Sequence, residues 1–189
     1  MPVPGGRLNL AAMRRLPAVG LAIVLAASGA SAQEQDDVSP LASLDFLLGR
    51  WEATSGGTPA TPLGTTSFER KLGSQVVVRT CHTDVSATKD RGASVRDDLM
   101  VIYANSDREL RADYYDSDGR VLRYTIETTD DTAVFTSEPS PGQPRYRITY
   151  QLAYAGIVTG ELESSPAAEP EGFKSRLTWT MKHPAPKSR

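Results

Sequence analysis

From Arg50 to Lys182 apolar and polar residues alternate along the chain, the period-two signature of strands with one wet and one apolar face. In segment 145–153, Tyr146, Ile148, Tyr150 and Leu152 share one face, and Arg145, Arg147, Thr149 and Gln151 the other. Segment 173–182 sets Phe173, Leu177, Trp179 and Met181 against Lys174, Arg176, Thr178, Thr180 and Lys182, with Ser175 as a small polar intruder. Weaker versions run over 50–56, 65–72, 75–84, 98–104, 108–115, 120–127, 132–137 and 156–163. Turn-forming clusters separate them, among them Gly56-Gly57, Asn105-Ser106-Asp107, Asp116-Ser117-Asp118-Gly119 and Pro139-Ser140-Pro141-Gly142. The pattern predicts about ten strands joined mainly by short loops, which makes neighbours antiparallel. No helix-length segment lies among them, so βαβ crossovers are excluded. Such an all-β meander closes most simply as a single antiparallel up-and-down β-barrel. A Greek-key sandwich is the alternative, with only 85–97 and 164–172 long enough to cross.

Two segments precede the strands. Ser39 can cap a helix, Pro40 suits its first position and Gly49 its end, while Leu41, Leu44 and Leu48 fall at helical spacing. A short helix therefore leads into the first strand. The first 32 residues contain no acid; Arg7, Arg14 and Arg15 precede an apolar run, Leu16–Ala27, and the small residues Ala30-Ser31-Ala32. This is the order of a secretory signal peptide, and the run is shorter than the roughly 20 residues of a membrane helix. The chain thus reads as a signal peptide (1–32), a flexible linker (33–40), one barrel domain (41–183) and a disordered tail (184–189). The product is expected to be exported, periplasmic or secreted, with no membrane span.

Charge and composition narrow the function. The net charge of −2, from 21 basic and 23 acidic side chains, gives no basic footprint for nucleic acid. Signal cleavage removes three arginines and no acid, so the released domain is more acidic still. A single cysteine excludes an intrachain disulfide and a Cys-rich zinc site, and two histidines leave little for a metal cage. No metal, cofactor or catalytic residue is expected, because the nucleophile-elbow, zincin, P-loop and dinucleotide patterns are all absent.

The densest set of reactive side chains is 76–84. Alternation places Arg79 and Cys81 on one face and Thr80, His82 and Asp84 on the other. Cys81 and His82 therefore point apart. Arg79, Cys81, Tyr103 and Tyr124 are the candidate ligand-binding residues of the barrel interior. Arg123 is a weaker candidate, since Leu122, Tyr124 and Ile126 form the core face of its strand. Asp116-Ser117-Asp118-Gly119 has half the spacing of a calcium loop, but Tyr114 and Thr125 stand where acidic ligands would be needed, so a hairpin turn is expected.

The opening Leu44-Asp45-Phe46-Leu47-Leu48-Gly49-Arg50-Trp51, followed by Ser67-Phe68-Glu69-Arg70-Lys71-Leu72-Gly73 and Tyr114-Tyr115-Asp116-Ser117-Asp118-Gly119-Arg120-Val121, resembles the lipocalin and fatty-acid-binding (calycin) superfamily. It is most similar to exported bacterial lipocalin-like families of unknown function, over roughly 41–182. The resemblance implies a barrel whose Trp51 plugs one end, covered by an arginine of a late strand, here Arg176. It also implies a small, partly hydrophobic ligand in the interior, with Arg79 available to a carboxylate head group, and no enzymatic activity. A ligand-free structural or interaction module, docking through the polar loop Ser86–Arg96, is the alternative. Haem binding through His183, or an enzyme acting on a lipid-like substrate, are further ones.

Overall fold

The computed structural model describes residues 38–55, 61–85, 87, 92–154 and 156–185, without the side chains of Pro62 and Val85. The expected signal peptide, residues 33–37 of the linker and residues 186–189 of the tail lie outside them. A 3-10 helix, Pro40–Leu47, leads into ten strands: β1 (Gly49–Ser55), β2 (Pro62–Lys71), β3 (Val76–Val85), β4 (Ser94–Ala104), β5 (Leu110–Asp116), β6 (Val121–Thr128), β7 (Thr132–Ser137), β8 (Arg145–Tyr154), β9 (Ile157–Ser165) and β10 (Lys174–Lys182). Each strand pairs antiparallel with its sequence neighbours, and β1 pairs with β10 to close the barrel. The fold is the all-β up-and-down barrel, and among the described residues no strand crosses over as a sandwich would require. Closure leaves no edge strand among the described residues. Among the described residues no helix is long and apolar enough to cross a membrane.

The helix forms because Ser39 caps it, its hydroxyl accepting from the Leu41 N–H at 3.3 Å, and because Pro40 needs no donor at the first position. Its 3-10 winding stacks residues three apart. Leu41, Leu44 and Leu47 are therefore the buried set, and Leu48, grouped with 41 and 44 on α-helical spacing, is only half-buried. Burying each leucine contributes about 1.5–3 kcal/mol.

These leucines seal one end of the barrel. Trp51 beneath them is 1 % exposed, and its Nε1 donates to the Leu47 carbonyl at 2.7 Å. Its indole stacks on His183, ring centroids 3.9 Å apart, while His183 Nδ1 sits 3.1 Å from the Arg50 carbonyl. The expected partner, Arg176, is not there. It stands at the far end of β10, where its Nε donates to Ser164 Oγ at 2.7 Å.

Arg176 occupies a β-bulge: β9 residues Glu163 and Leu162 face Ser175 and Leu177, so one residue of β10 is unmatched. An inserted residue reverses which side chains face inward. Leu177, Trp179 and Met181 line the interior, but Phe173, grouped with them by simple alternation, is left outside, 4.3 Å from the Arg147 guanidinium carbon. The β3–β4 hairpin also extends further than the pattern indicates, since Val85, Asp84 and Thr83 pair with Ser94, Val95 and Arg96. The last three residues of the expected docking loop Ser86–Arg96 are therefore strand; residues 86 and 88–91 lie outside the described residues. The Asp116 turn is a hairpin, with Asp116 Oδ1 accepting from the backbone N–H groups of Asp118 and Arg120 at 3.0 Å each.

Candidate functional site

Strand register divides the barrel into two halves. Toward the helix, Phe68, Val77, Ile102, Leu110, Ala133, Phe135 and Val158 fill the interior. Toward the other end the interior is open, as a cavity of about 480 Å³, within the range of small-molecule sites. Its walls come from the ends of strands that the register brings level: Ala53 and Met181, Gly64 and Thr83, Cys81 and Asp98, Tyr114 and Leu122, Ile148 and Leu162. Glycine at 160 makes room in the wall, since a Cβ there would lie 2.1 Å from the Trp179 ring.

The floor is aromatic. Tyr150 packs edge-on against Phe68, Phe135 and Trp179, with centroids 5.6, 5.8 and 5.9 Å away. Tyr114 and Tyr124 form a second edge-to-face pair on the wall, at 6.2 Å. Burial pushes the Tyr150 hydroxyl up to about 12, and raises Tyr114 and Tyr124 further above the ordinary phenol range. All three are neutral hydroxyls over the working pH range.

Arg79 shares this floor, 7 % exposed, with Nη2 3.2 Å from Oδ1 of Asp98, whose side chain is 10 % exposed. Burial works against the Arg79 charge, but Tyr150, Asp98 and Cys81 around it more than offset this and hold it ionised. Asp98 is shifted the other way: burial raises its carboxyl, and nearby Asp116 adds to this, against the attraction of Arg79 and Arg96. The pair is poorly satisfied. Arg79 Nε and Nη1, and Asp98 Oδ1, are buried and have no hydrogen-bond partner in the protein. Native folds leave few such groups, and each costs about 1–3 kcal/mol. Among the described residues of the cavity rim, by contrast, the two arginines are paired. Arg120 binds Asp116 at 2.7 Å and Arg96 binds Asp118 at 2.8 Å. Arg120 also donates to the Tyr146 hydroxyl at 3.5 Å.

Of the sequence candidates, Arg79, Cys81 and Tyr124 come together in this cavity. Tyr103 does not. Its neighbour Ile102 takes the buried position, and Tyr103 pairs with Arg111 on the outer face. Arg123 is also outside, facing Asp113 at 3.8 Å. His82 points outward as alternation requires, with Nδ1 2.7 Å from Asp97 and Nε2 3.8 Å from Asp84 rather than against a hydroxyl. His183 is at the sealed end, away from the cavity. Asp98 is a site residue that motif reading passed over, while Tyr114, Tyr146 and Tyr150, whose spacing along their strands reads as wall packing, line the cavity with Tyr124. The signal for Asp98 was its register opposite Cys81, a tertiary pairing. Among the described residues no three His, Cys, Asp or Glu side chains form a cluster able to hold a metal ion.

No protein-family model matches this chain, and no curated protein resembles it significantly in sequence. The cavity's own chemistry therefore carries the functional reading.

Proposed function

We propose that this chain is an exported, calycin-like barrel of the lipocalin-like type, binding one small, partly hydrophobic molecule without turning it over. The ligand's apolar body lies against Tyr114, Tyr124, Tyr146, Leu162 and Trp179, and its polar end meets Arg79. One observation carries this reading: a buried arginine with two partnerless nitrogens stands at the bottom of an open-ended, mainly apolar cavity. A barrel that served only as a rigid module would gain by filling that space with side chains, since voids and unmet polar groups both destabilise. The export signal in the sequence supports placement outside the cytoplasm.

Cys81 makes the test direct. It is the single cysteine of the chain and lines the cavity. The rate of its alkylation by iodoacetamide should fall saturably, at one ligand per chain, as amphiphilic compounds are titrated in. Compounds that bind by native mass spectrometry yet leave the alkylation rate unchanged would place the binding elsewhere and defeat the proposal.

A further inference from the structure

The cavity floor has an unmet hydrogen-bonding demand of both signs. Arg79 offers donors at Nε and Nη1 with no acceptor, and Asp98 Oδ1, although it lies 3.2 Å from Arg79 Nη2, accepts no hydrogen bond. Their charges cancel, being 3.2 Å apart. A bare anion arriving here meets a neutral floor: it gains Arg79, is repelled by Asp98 and loses its hydration, a combination that is costly in a buried site. A neutral head group that carries a donor beside an acceptor satisfies Arg79 and Asp98 together with no charge penalty.

We infer that the floor reads a head group presenting one hydrogen-bond donor beside one acceptor, such as a primary amide, and that a carboxylate enters only together with one proton. This rests on the cavity-binding reading above and names the ligand class it takes. For a carboxylate, the proton comes from solvent and lies between the ligand carboxyl and Asp98 Oδ1. Whichever oxygen holds it, one proton is taken up per molecule bound.

The surroundings single out Asp98 as the partner for that proton. Arg79 and Cys81 face it from β3, Tyr114 and Asp116 from β5, and Arg96 and Asp97 flank it on β4. The tyrosines titrate far above neutrality. Asp116 is held by Arg120 and by two backbone N–H groups, which outweigh its burial and lower its carboxyl. Asp97 is on the outer face against His82. Among these groups Asp98 is the acid that is raised by burial and whose Oδ1 accepts no hydrogen bond.

Decanamide, decanoate and methyl decanoate share one tail and differ only at the head. Their binding is to be followed by calorimetry across neutral pH, in buffers of different ionisation enthalpy, with Cys81 protection as the occupancy check. Decanamide should bind with pH-independent affinity. Decanoate should take up one proton and lose affinity about tenfold per pH unit, the slope linkage assigns to one proton. The ester, an acceptor only, should bind at least tenfold more weakly than the amide. In Asp98→Asn the decanoate should bind without proton uptake and its pH slope should vanish; if that variant does not fold, the proton count on the native chain decides. Decanoate binding without proton uptake in the native protein, or an ester as tight as the amide, would overturn the inference while leaving the cavity reading intact. Failure of all three compounds to protect Cys81 would end this inference; the cavity reading would fall with it only if the wider amphiphile series also binds without protecting Cys81.

Discussion

Replacing the Arg79–Asp98 pair by apolar residues, as Arg79→Met with Asp98→Leu, should make the barrel more stable and useless as a binder. The magnitude follows from a buried ion pair in which Arg79 Nε and Nη1 and Asp98 Oδ1 make no hydrogen bond. Each withholds about 1–3 kcal/mol relative to a satisfied group, while removal of a whole buried ion pair typically returns about 1–4 kcal/mol. The single substitutions should act the other way. Arg79→Met leaves Asp98 as a lone buried carboxylate, and Asp98→Leu leaves Arg79 uncompensated; each should cost about 3–5 kcal/mol. A double-mutant cycle in urea separates the terms. The double variant should gain about 1–4 kcal/mol over the native chain, which at this size raises Tm by about 2–4 °C per kcal/mol. A folded double variant less stable than the native protein would show that the pair is there for stability, and would remove the energetic argument for a ligand site. The same variant should lose protection of Cys81 by any head-group ligand.

Trp51→Ala should cost about 3–5 kcal/mol, from the cavity left at the sealed end and the lost hydrogen bond to Leu47; an unchanged Tm would refute its role as the end plug. Gly64→Ala should fail to fold or unfold several degrees earlier in a thermal melt, because a Cβ there would meet the His82 carbonyl at 1.9 Å and φ is +131°; a native-like melt would show that the β2–β3 pairing relaxes. On the outer wall, two hydrogen bonds from Arg147, at 2.6 and 2.7 Å, lower the Glu163 carboxyl. A carboxyl lowered on folding contributes stability that is complete above its unfolded value of about 4.3 and is lost as pH falls through its folded one. Arg147→Met should therefore shrink the difference in urea midpoint between neutral and acid pH, and an unaltered difference would contradict the assignment.

Much of this protein could be read along the chain, for a physical reason. A β-barrel with one apolar face per strand writes its topology as alternation, and short polar turns leave only antiparallel neighbours. Hence the ten strands, the capping helix and the inward pair Arg79 and Cys81 were all visible in residue order. The errors came where one residue changes phase or where winding changes pitch. The bulge at Arg176 put Phe173 outside and carried Arg176 away from Trp51, and the 3-10 helix exchanged Leu48 for Leu47 in the buried set. Tyr103 was misplaced because a tyrosine's chemistry says nothing about which face it is on; its pairing with Arg111 does.

The sequence by itself determined the strands, the closure they demand and the acidic, cysteine-poor character of the chain, since these depend on local pattern and composition. Only the tertiary structure decided that one half of the barrel is filled and the other is open, and that Asp98 comes to lie beside Arg79 with its hydrogen bonds unmet. Both depend on register between strands distant in the chain and on the summed volumes of side chains meeting inside, quantities to which alternation along any one strand is blind.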